Sequence, residues 1–335
     1  MRFGALPPGR TIAPLALQSR VGRASRSAGY PRAVTDRIAV VGVPTALGGE
    51  LPNDRHVGMA SAPADLRRLG LLSMLGDAGL EIRDDGDVTI NPGWKSDSDL
   101  QAKNRAEIAA FLTREAGVVA AAVAGGERLL ILGGDCCAHA GAMAGLRRAN
   151  PERRLAIAWF DAHGDCNTPE TTPSGNVWGM PFAMLLGHGA PDLVEASEGP
   201  SVELGHAALV GGQVLDEAES RWLSASPVAQ FGAGMLGTPA GMAGLRAWAS
   251  TVAQEVDGLY IAIDHDVLDA DEADWAVTMP ESRGLRADAA LSAVEILAAA
   301  VPVVGYGATT MNFRVGGDAM RTVVVAARMA EAAFG

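Results

Sequence analysis

The chain has 335 residues and carries 27 Lys and Arg against 39 Asp and Glu, a formal net charge of −12 at pH 7. With 48% hydrophobic and 20% charged residues it is not a disordered chain, a fibre or a coiled coil, and it is long enough for one large or two ordinary domains. The acidic balance speaks against non-specific binding to nucleic acid or an anionic membrane and suits metal ions or a cationic small ligand.

Three cysteines, Cys136, Cys137 and Cys166, cannot make a disulfide framework and point to a reduced, cytoplasmic compartment. No apolar run reaches the roughly 18 residues that a membrane span needs; the best candidate, Ala289 to Ala308, is broken by Glu295 and Pro302. The first 37 residues hold seven Arg and one acid, Asp36, with Pro7, Pro8, Pro14 and Pro31 interrupting any helix. They lack the amphipathic pattern of a transit peptide and are expected to form a flexible arm ahead of a single α/β domain over residues 38–335.

From Ile38 onward, short apolar runs alternate with helical stretches. Strands are expected at residues 38–44, 128–132, 155–160, 207–210, 258–263 and 301–305. Helices are expected at 62–75, 106–124, from about 136 to 148, and at 318–334. Strands that are apolar throughout, alternating with helices, predict a parallel sheet covered on both faces.

In such sheets, ligands bind beyond the carboxyl ends of the strands. Three strands here end in acids, Cys or His: Asp135-Cys136-Cys137-Ala-His139, Asp161-Ala-His163-Gly-Asp165 and Asp264-His265-Asp266. In extended chain, residues i, i+2 and i+4 share a side, so Asp161, His163 and Asp165 can converge, as can Asp264 and Asp266. Four carboxylates and an imidazole in one pocket repel each other unless cations neutralise them. Oxygen-rich ligation with one imidazole suits Mn²⁺, and five or six ligands suggest two ions sharing carboxylates.

This pattern resembles the ureohydrolase superfamily, and its arginase branch in particular, through Gly133-Gly-Asp-Cys136, Asp161-Ala-His-Gly-Asp165, the run Asn167 to Asn176, and Asp264-His-Asp266. The resemblance implies a three-layer α/β sandwich around a mainly parallel sheet, assembly into trimers or hexamers, and two Mn²⁺ ions that serve hydrolysis of a guanidinium carbon. Carried over by position, Asp161 and Asp264 bridge the ions, Cys136 and Asp165 complete one, and His163 and Asp266 complete the other. Asn167, Thr172, Ser174 and Asn176 match the loop that holds the α-carboxylate and α-amino group of an amino-acid substrate. Asp165 and His163 are the catalytic candidates, Asp165 passing the proton of a metal-bridging hydroxide to the leaving nitrogen.

Four positions depart from the branch. Cys136 stands where the first metal ligand is a His. As thiolate it makes five negative ligand charges against four positive, and its softness admits Co²⁺, Ni²⁺, Fe²⁺ or Zn²⁺ beside Mn²⁺. His139 could supply the lost imidazole, although a core role is the expected one. Trp178 replaces a proton-shuttling His and cannot titrate. Thr310 replaces the Glu that pairs with the guanidinium, and the acid that contacts the substrate's amino group falls at Val214, or at Asp216 after a small shift.

A guanidine bearing an electron-withdrawing N-hydroxyl is less basic and depends less on the missing groups. The expected function is therefore hydrolysis of a guanidino or amidino amino acid, arginine or preferably a modified arginine such as Nω-hydroxy-arginine. The alternatives are a degenerate arginase-like binding or scaffold protein, and an amidine-cleaving thiol hydrolase using Cys136 or Cys137 with His163.

Overall fold

The computed structural model describes residues 34–49, 58–91 and 99–335. Of the arm expected over residues 1–37, all but 34–37 lies outside the described residues. The strands are β1 (Ile38–Val43), β2 (Ile82–Asp87), β3 (Arg128–Gly133), β4 (Leu155–Asp161), β5 (Ala207–Gly211), β6 (Ala229–Gly232), β7 (Gly258–Asp264) and β8 (Val303–Thr309). They form one sheet in the order β2-β1-β3-β8-β7-β4-β5-β6, with every pairing parallel.

The helices are α1 (Ala62–Arg68), α2 (Leu71–Asp77), α3 (Arg105–Ala122), α4 (Cys137–Ala149), α5 (Pro181–Leu185), α6 (Pro191–Ala196), α7 (Glu217–Ala225), α8 (Ala233–Leu236), α9 (Pro239–Val252), α10 (Ala287–Ala300) and α11 (Ala319–Phe334). Every residue of β1, β4, β5, β7 and β8 is buried. The reason is two-sided cover. Val40, Leu130, Ala158 and Ile261 pack with residues of α1, α2 and α8 to α11, while Val41, Ile131, Ile157 and Trp159 pack with residues of α3 to α6. Alternating side chains thus feed two separate cores, which is the three-layer sandwich. No helix among the described residues is long and apolar enough to cross a membrane.

The departures from the expected elements have local causes. The single helix expected over 62–75 is two, because Gly70 sits at φ +91° between α1 and α2. The last strand begins later and runs further than expected. Its Gly305 and Gly307 are strand residues whose missing Cβ atoms make room for Tyr260: a Cβ would lie 2.7 Å from Tyr260 Cδ2 at the first and 2.3 Å from its hydroxyl oxygen at the second. β2 has no apolar alternation. It is an edge strand held by charge, with Arg67 of α1 reaching Asp84 at 2.8 Å and Asp87 at 2.6 Å.

Chain order sets where chemistry can occur. β3 and β4 are consecutive in sequence but are separated in the sheet by β8 and β7, which arrive last. The carboxyl ends of β3, β8, β7 and β4 therefore stand side by side.

α3 and α4 pack closely at Gly141 and Gly145, where added Cβ atoms would lie 2.1 Å from Glu115 and 2.4 Å from Val119. Glu115 is fully buried in this seam, and neither of its carboxyl oxygens has a hydrogen-bond partner among the described residues. Burial, and then the nearby Asp135, push its pKa well above the carboxylate range. An acid whose pKa is raised by folding costs nothing below its unfolded value, about 4.3, and destabilises increasingly as pH climbs towards the folded value. Glu115→Met is therefore expected to stabilise the metal-stripped protein by about 1–3 kcal/mol at neutral pH, and by less in acid. Urea unfolding at the two pH values measures this; a gain that does not change with pH would show that Glu115 is not the titrating group.

Candidate active site

One local device recurs at three strand ends. Beyond β3, Asp135 Oδ1 accepts the backbone N–H of Cys137 at 3.0 Å. At the end of β4, Asp161 Oδ1 accepts that of His163 at 2.7 Å, and at the end of β7, Asp264 Oδ1 accepts that of Asp266 at 2.9 Å. Each is an aspartate turning the chain two residues on. The convergence expected from extended-chain alternation is thus produced by turns: Asp266 lies in a single 3₁₀ turn, and Asp165 has left-handed backbone at φ +47°.

These turns assemble two groups of candidate ligands. Cys136, Asp161 and Asp264 form one, and Asp161, His163 and Asp266 the other, each with ligand atoms within 4.8 Å of one another. Asp161 belongs to both. Its Oδ2 accepts the indole N–H of Trp159 at 2.9 Å, so its orientation is fixed from inside the sheet. Cys136 Sγ donates to Asp264 Oδ2 at 3.1 Å, and the other oxygen of Asp264 accepts the hydroxyl of Thr310. His163 turns Nδ1 towards Asp161 Oδ1 at 3.3 Å and Asp266 Oδ2 at 3.2 Å.

Asp165 lies outside both groups. Its carbonyl is clamped by the N–H groups of Phe182 and Ala183, and its Oδ2 is buried without a hydrogen-bond partner among the described residues.

The electrostatics are those of a pocket built for positive charge. Burial pushes the carboxyls of Asp165, Asp264 and Asp266 upward, and repulsion from Asp161 adds to it in all three. The Cys136 thiol is raised by burial and then by Asp165, Asp264, Asp161 and Asp266. Burial alone would hold His163 neutral, but Asp266 and Asp161 outweigh it and raise its pKa far above the usual imidazole value. Hard oxygens, one imidazole and one sulfur at this spacing fit a pair of divalent cations.

Two expectations are resolved by what lies behind the cluster. His139 bonds through Nδ1 to the Tyr260 hydroxyl at 3.0 Å and through Nε2 to the Thr309 hydroxyl at 3.1 Å, both buried. Burial lowers its pKa to about 3, so it is a neutral core residue and Cys136 is the group that faces the ligands. A thiol pushed upward and bonded to a carboxylate is no nucleophile, and His163 points at Asp161 and Asp266, so the thiol-hydrolase alternative has no geometry to support it.

The polar loop lies beside the cluster. Asn167, four per cent exposed, donates to Asp216 Oδ2 at 2.8 Å and accepts from the Thr171 hydroxyl. Of the two positions weighed for the acid, Val214 is surface-exposed, whereas Asp216 is bonded to the loop through Asn167. Thr172 and Ser174 turn their hydroxyls onto the loop's own backbone, at Gly175 N and Asn176 N, and Asn176 Oδ1 accepts from Lys103 Nζ at 3.1 Å.

Trp178 is packed in the core against Gly48 and Gly49, where a Cβ on Gly49 would meet its ring at 2.0 Å. Thr310, at φ +61°, is in the site and holds Asp264.

Sequence reasoning missed Trp159, Glu219 and Glu281. Glu219 joins two segments, accepting from Cys166 N at 3.1 Å and from Asp216 N at 3.0 Å. The spacing Asp216-x-x-Glu219 is a readable capping box, and Trp159 is two residues before Asp161 on the same strand face. Nothing local marks Glu281, whose Oε1 is 3.9 Å from His163 Nε2.

Fold and site together define a metal-dependent hydrolase of the three-layer α/β type. The family model described as "Arginase family" matches residues 36–335. The arginase of Bacillus caldovelox is 31% identical over 269 residues, covering 78% of this chain and 86% of the relative, and that of Bacillus subtilis strain 168 is 32% identical over 238 residues, covering 70% and 77%. The solved structure of the Bacillus caldovelox arginase superposes with a TM-score of 0.80 at 29% identity, over 89% of this chain and 98% of that one. The chain belongs to the arginase family.

Because the repulsion within the cluster is relieved by cations, Mn²⁺ at about a hundred times its dissociation constant is expected to stabilise the metal-stripped protein by about 2.7 kcal/mol. Asp161→Asn, which removes the charge common to both groups, should abolish most of that gain in a thermal melt. An undiminished gain in the variant would put the ions elsewhere.

Proposed function

We propose that this chain is a two-metal hydrolase cleaving a guanidino or amidino C–N bond of an amino-acid-like substrate, and that the substrate is a modified arginine such as Nω-hydroxy-arginine. The observation that carries the reading is the single Asp161 carboxylate shared by two three-ligand groups. Mn²⁺ is the favoured ion, with the sulfur of Cys136 admitting Co²⁺, Ni²⁺, Fe²⁺ or Zn²⁺. When bound, the two ions would supply an acidified water and positive charge opposite the charge that develops on the attacked carbon's substituents.

The chain's own residues do the rest. Cys136, Asp161, Asp264, His163 and Asp266 are the proposed ligands, with Asp165 beside them. Asp165, held in place through its carbonyl and with a carboxyl that burial and its acidic neighbours keep receptive to a proton, takes the proton released by the water and gives it to the leaving nitrogen. Asn167 and Asp216, already bonded to each other, offer an amide to the α-carboxylate and a carboxylate to the α-ammonium group. Thr172, Ser174 and Asn176 extend that polar rim.

The substrate preference rests on two groups. Thr310 contributes no charge, and its hydroxyl is committed to Asp264. Trp178 is tied to the loop at Gly48 through its backbone N–H, and its ring carries no titratable proton. A fully charged guanidinium thus loses its carboxylate partner, and a strongly basic leaving amine loses its shuttle. An N-hydroxyguanidine is less basic and so depends less on the missing carboxylate partner; the leaving amine is the same in both substrates, and its proton falls to Asp165.

Hydroxyurea release from Nω-hydroxy-arginine should exceed urea release from L-arginine by about tenfold or more in kcat/KM, equivalent to ~1.4 kcal/mol of transition-state stabilisation. Equal values would defeat the substrate assignment. The double variant Thr310→Glu with Trp178→His should move the ratio towards L-arginine. The second reading, a degenerate binding or scaffold protein, draws on the same two losses; it requires well under two metal equivalents per chain and no turnover of any guanidino compound.

A further inference from the structure

His163 divides its two ring nitrogens between two environments. Nδ1 faces Asp161 and Asp266 inside the candidate ligand group, and Nε2 faces outward to Glu281, with 3.9 Å between Nε2 and Oε1. Glu281 is partly buried, and His163 is the one cationic group with which it forms an ion pair among the described residues. Its backbone is not free to drift. The segment after the Asp266 ligand doubles back on itself: Leu285 N donates to Val267 O at 2.7 Å, Asp269 N to Leu285 O at 2.9 Å, and Ala270 N to Glu281 O at 2.9 Å. Arg283, with left-handed backbone at φ +63°, closes the turn by donating its N–H to Asp269 Oδ1 at 3.1 Å. Glu281 is therefore carried by the same knot of chain that presents Asp264 and Asp266.

An imidazole that ligates through one nitrogen must keep its proton on the other, and a carboxylate facing that other nitrogen fixes both the tautomer and the ring plane. We propose that Glu281 is the positioning residue for His163: its carboxylate, 3.9 Å from Nε2, draws the proton to that nitrogen and closes to accept it, so that the Nδ1 lone pair is left for the second metal ion. The inference rests on the two-metal reading above and adds to it a residue outside the ligand set, from a loop whose sequence carries no ligand motif. It also makes the two ions separable, because Glu281 pairs with His163, which belongs to one candidate group and not to that of Cys136.

Titration of the metal-stripped full chain with Mn²⁺ and, separately, Co²⁺ tests it. Co²⁺ bound to a thiolate absorbs in the near ultraviolet and so reports the Cys136 site by itself. In Glu281→Ala the second Mn²⁺ equivalent should weaken by about 10- to 100-fold, while the Co²⁺–thiolate band should fill at the wild-type concentration. Glu281→Gln, which keeps an oxygen acceptor for Nε2–H, should recover most of the loss. The metal-stripped variants should melt with the wild type.

Two equivalents held as tightly in Glu281→Ala as in wild type would overturn the positioning role and leave the two-metal reading standing. Weakening of both equivalents together would assign Glu281 a merely structural role. A wild-type chain that binds no ion at all would overturn the role and the two-metal reading together.

Discussion

The structure is organised around the mutual repulsion of acids that the fold forces together. Asp161, Asp165, Asp264 and Asp266 are each at most four per cent exposed and lie at the ends of neighbouring strands. Among the described residues no arginine or lysine forms an ion pair with them; the ion pairs of the described arginines lie elsewhere, as with Arg67 at the β2 edge. Burying even one unpaired carboxylate is costly, so a cluster of four is tolerable only if most are protonated or if cations enter. The parallel sheet makes the cluster unavoidable, since β3, β8, β7 and β4 all end on the same side. Metal binding and folding are in this sense two parts of one balance: the ions offset a repulsion that the topology imposes.

On the proposed reading the departures from the family pattern act in one direction: a thiol at Cys136 in place of an imidazole would add negative charge to the ligand set when it ionises, and Thr310 in place of a glutamate would remove it from the substrate side. Thr310 is more than a deletion, because its hydroxyl bonds to a ligand carboxylate and its left-handed backbone, unusual for a β-branched residue, is held by Gly134 O and Thr278 N. Trp178 likewise gains a structural task, filling the space over Gly48 and Gly49 next to the loop that Asp135 anchors through Gly48 N.

Much of this was legible in the chain. Strands buried on both faces announce themselves as unbroken apolar runs, which is why β1, β3, β4, β5 and β7 were found close to their true limits. Acids, Cys and His placed directly after those runs marked the site. Less was legible where charge or glycine replaces hydrophobic pattern. β2, Ile82–Asp87, is held by ion pairs with Arg67 and has no apolar face to detect. β8 contains two glycines that look like breakers and are in fact the clearance for Tyr260. Gly70 stopped a helix whose apolar spacing continues across it.

The sequence by itself determined the fold class and marked the residues that the structure gathers into two candidate ligand groups, because hydrophobic period and strand-end chemistry are local properties that survive without coordinates. Which atoms meet was decided only in three dimensions. Asp161 is common to both ligand groups because Cys136 reaches it from the end of β3, across two intervening strands of the sheet, while His163 follows it in the turn at the end of its own strand. His139 is spent on Tyr260 and Thr309, although its spacing from Cys136 would allow it to ligate. Glu281 comes to His163 from a loop far along the chain. Such partnerships depend on crossovers and loop closure, which no window of neighbouring residues encodes.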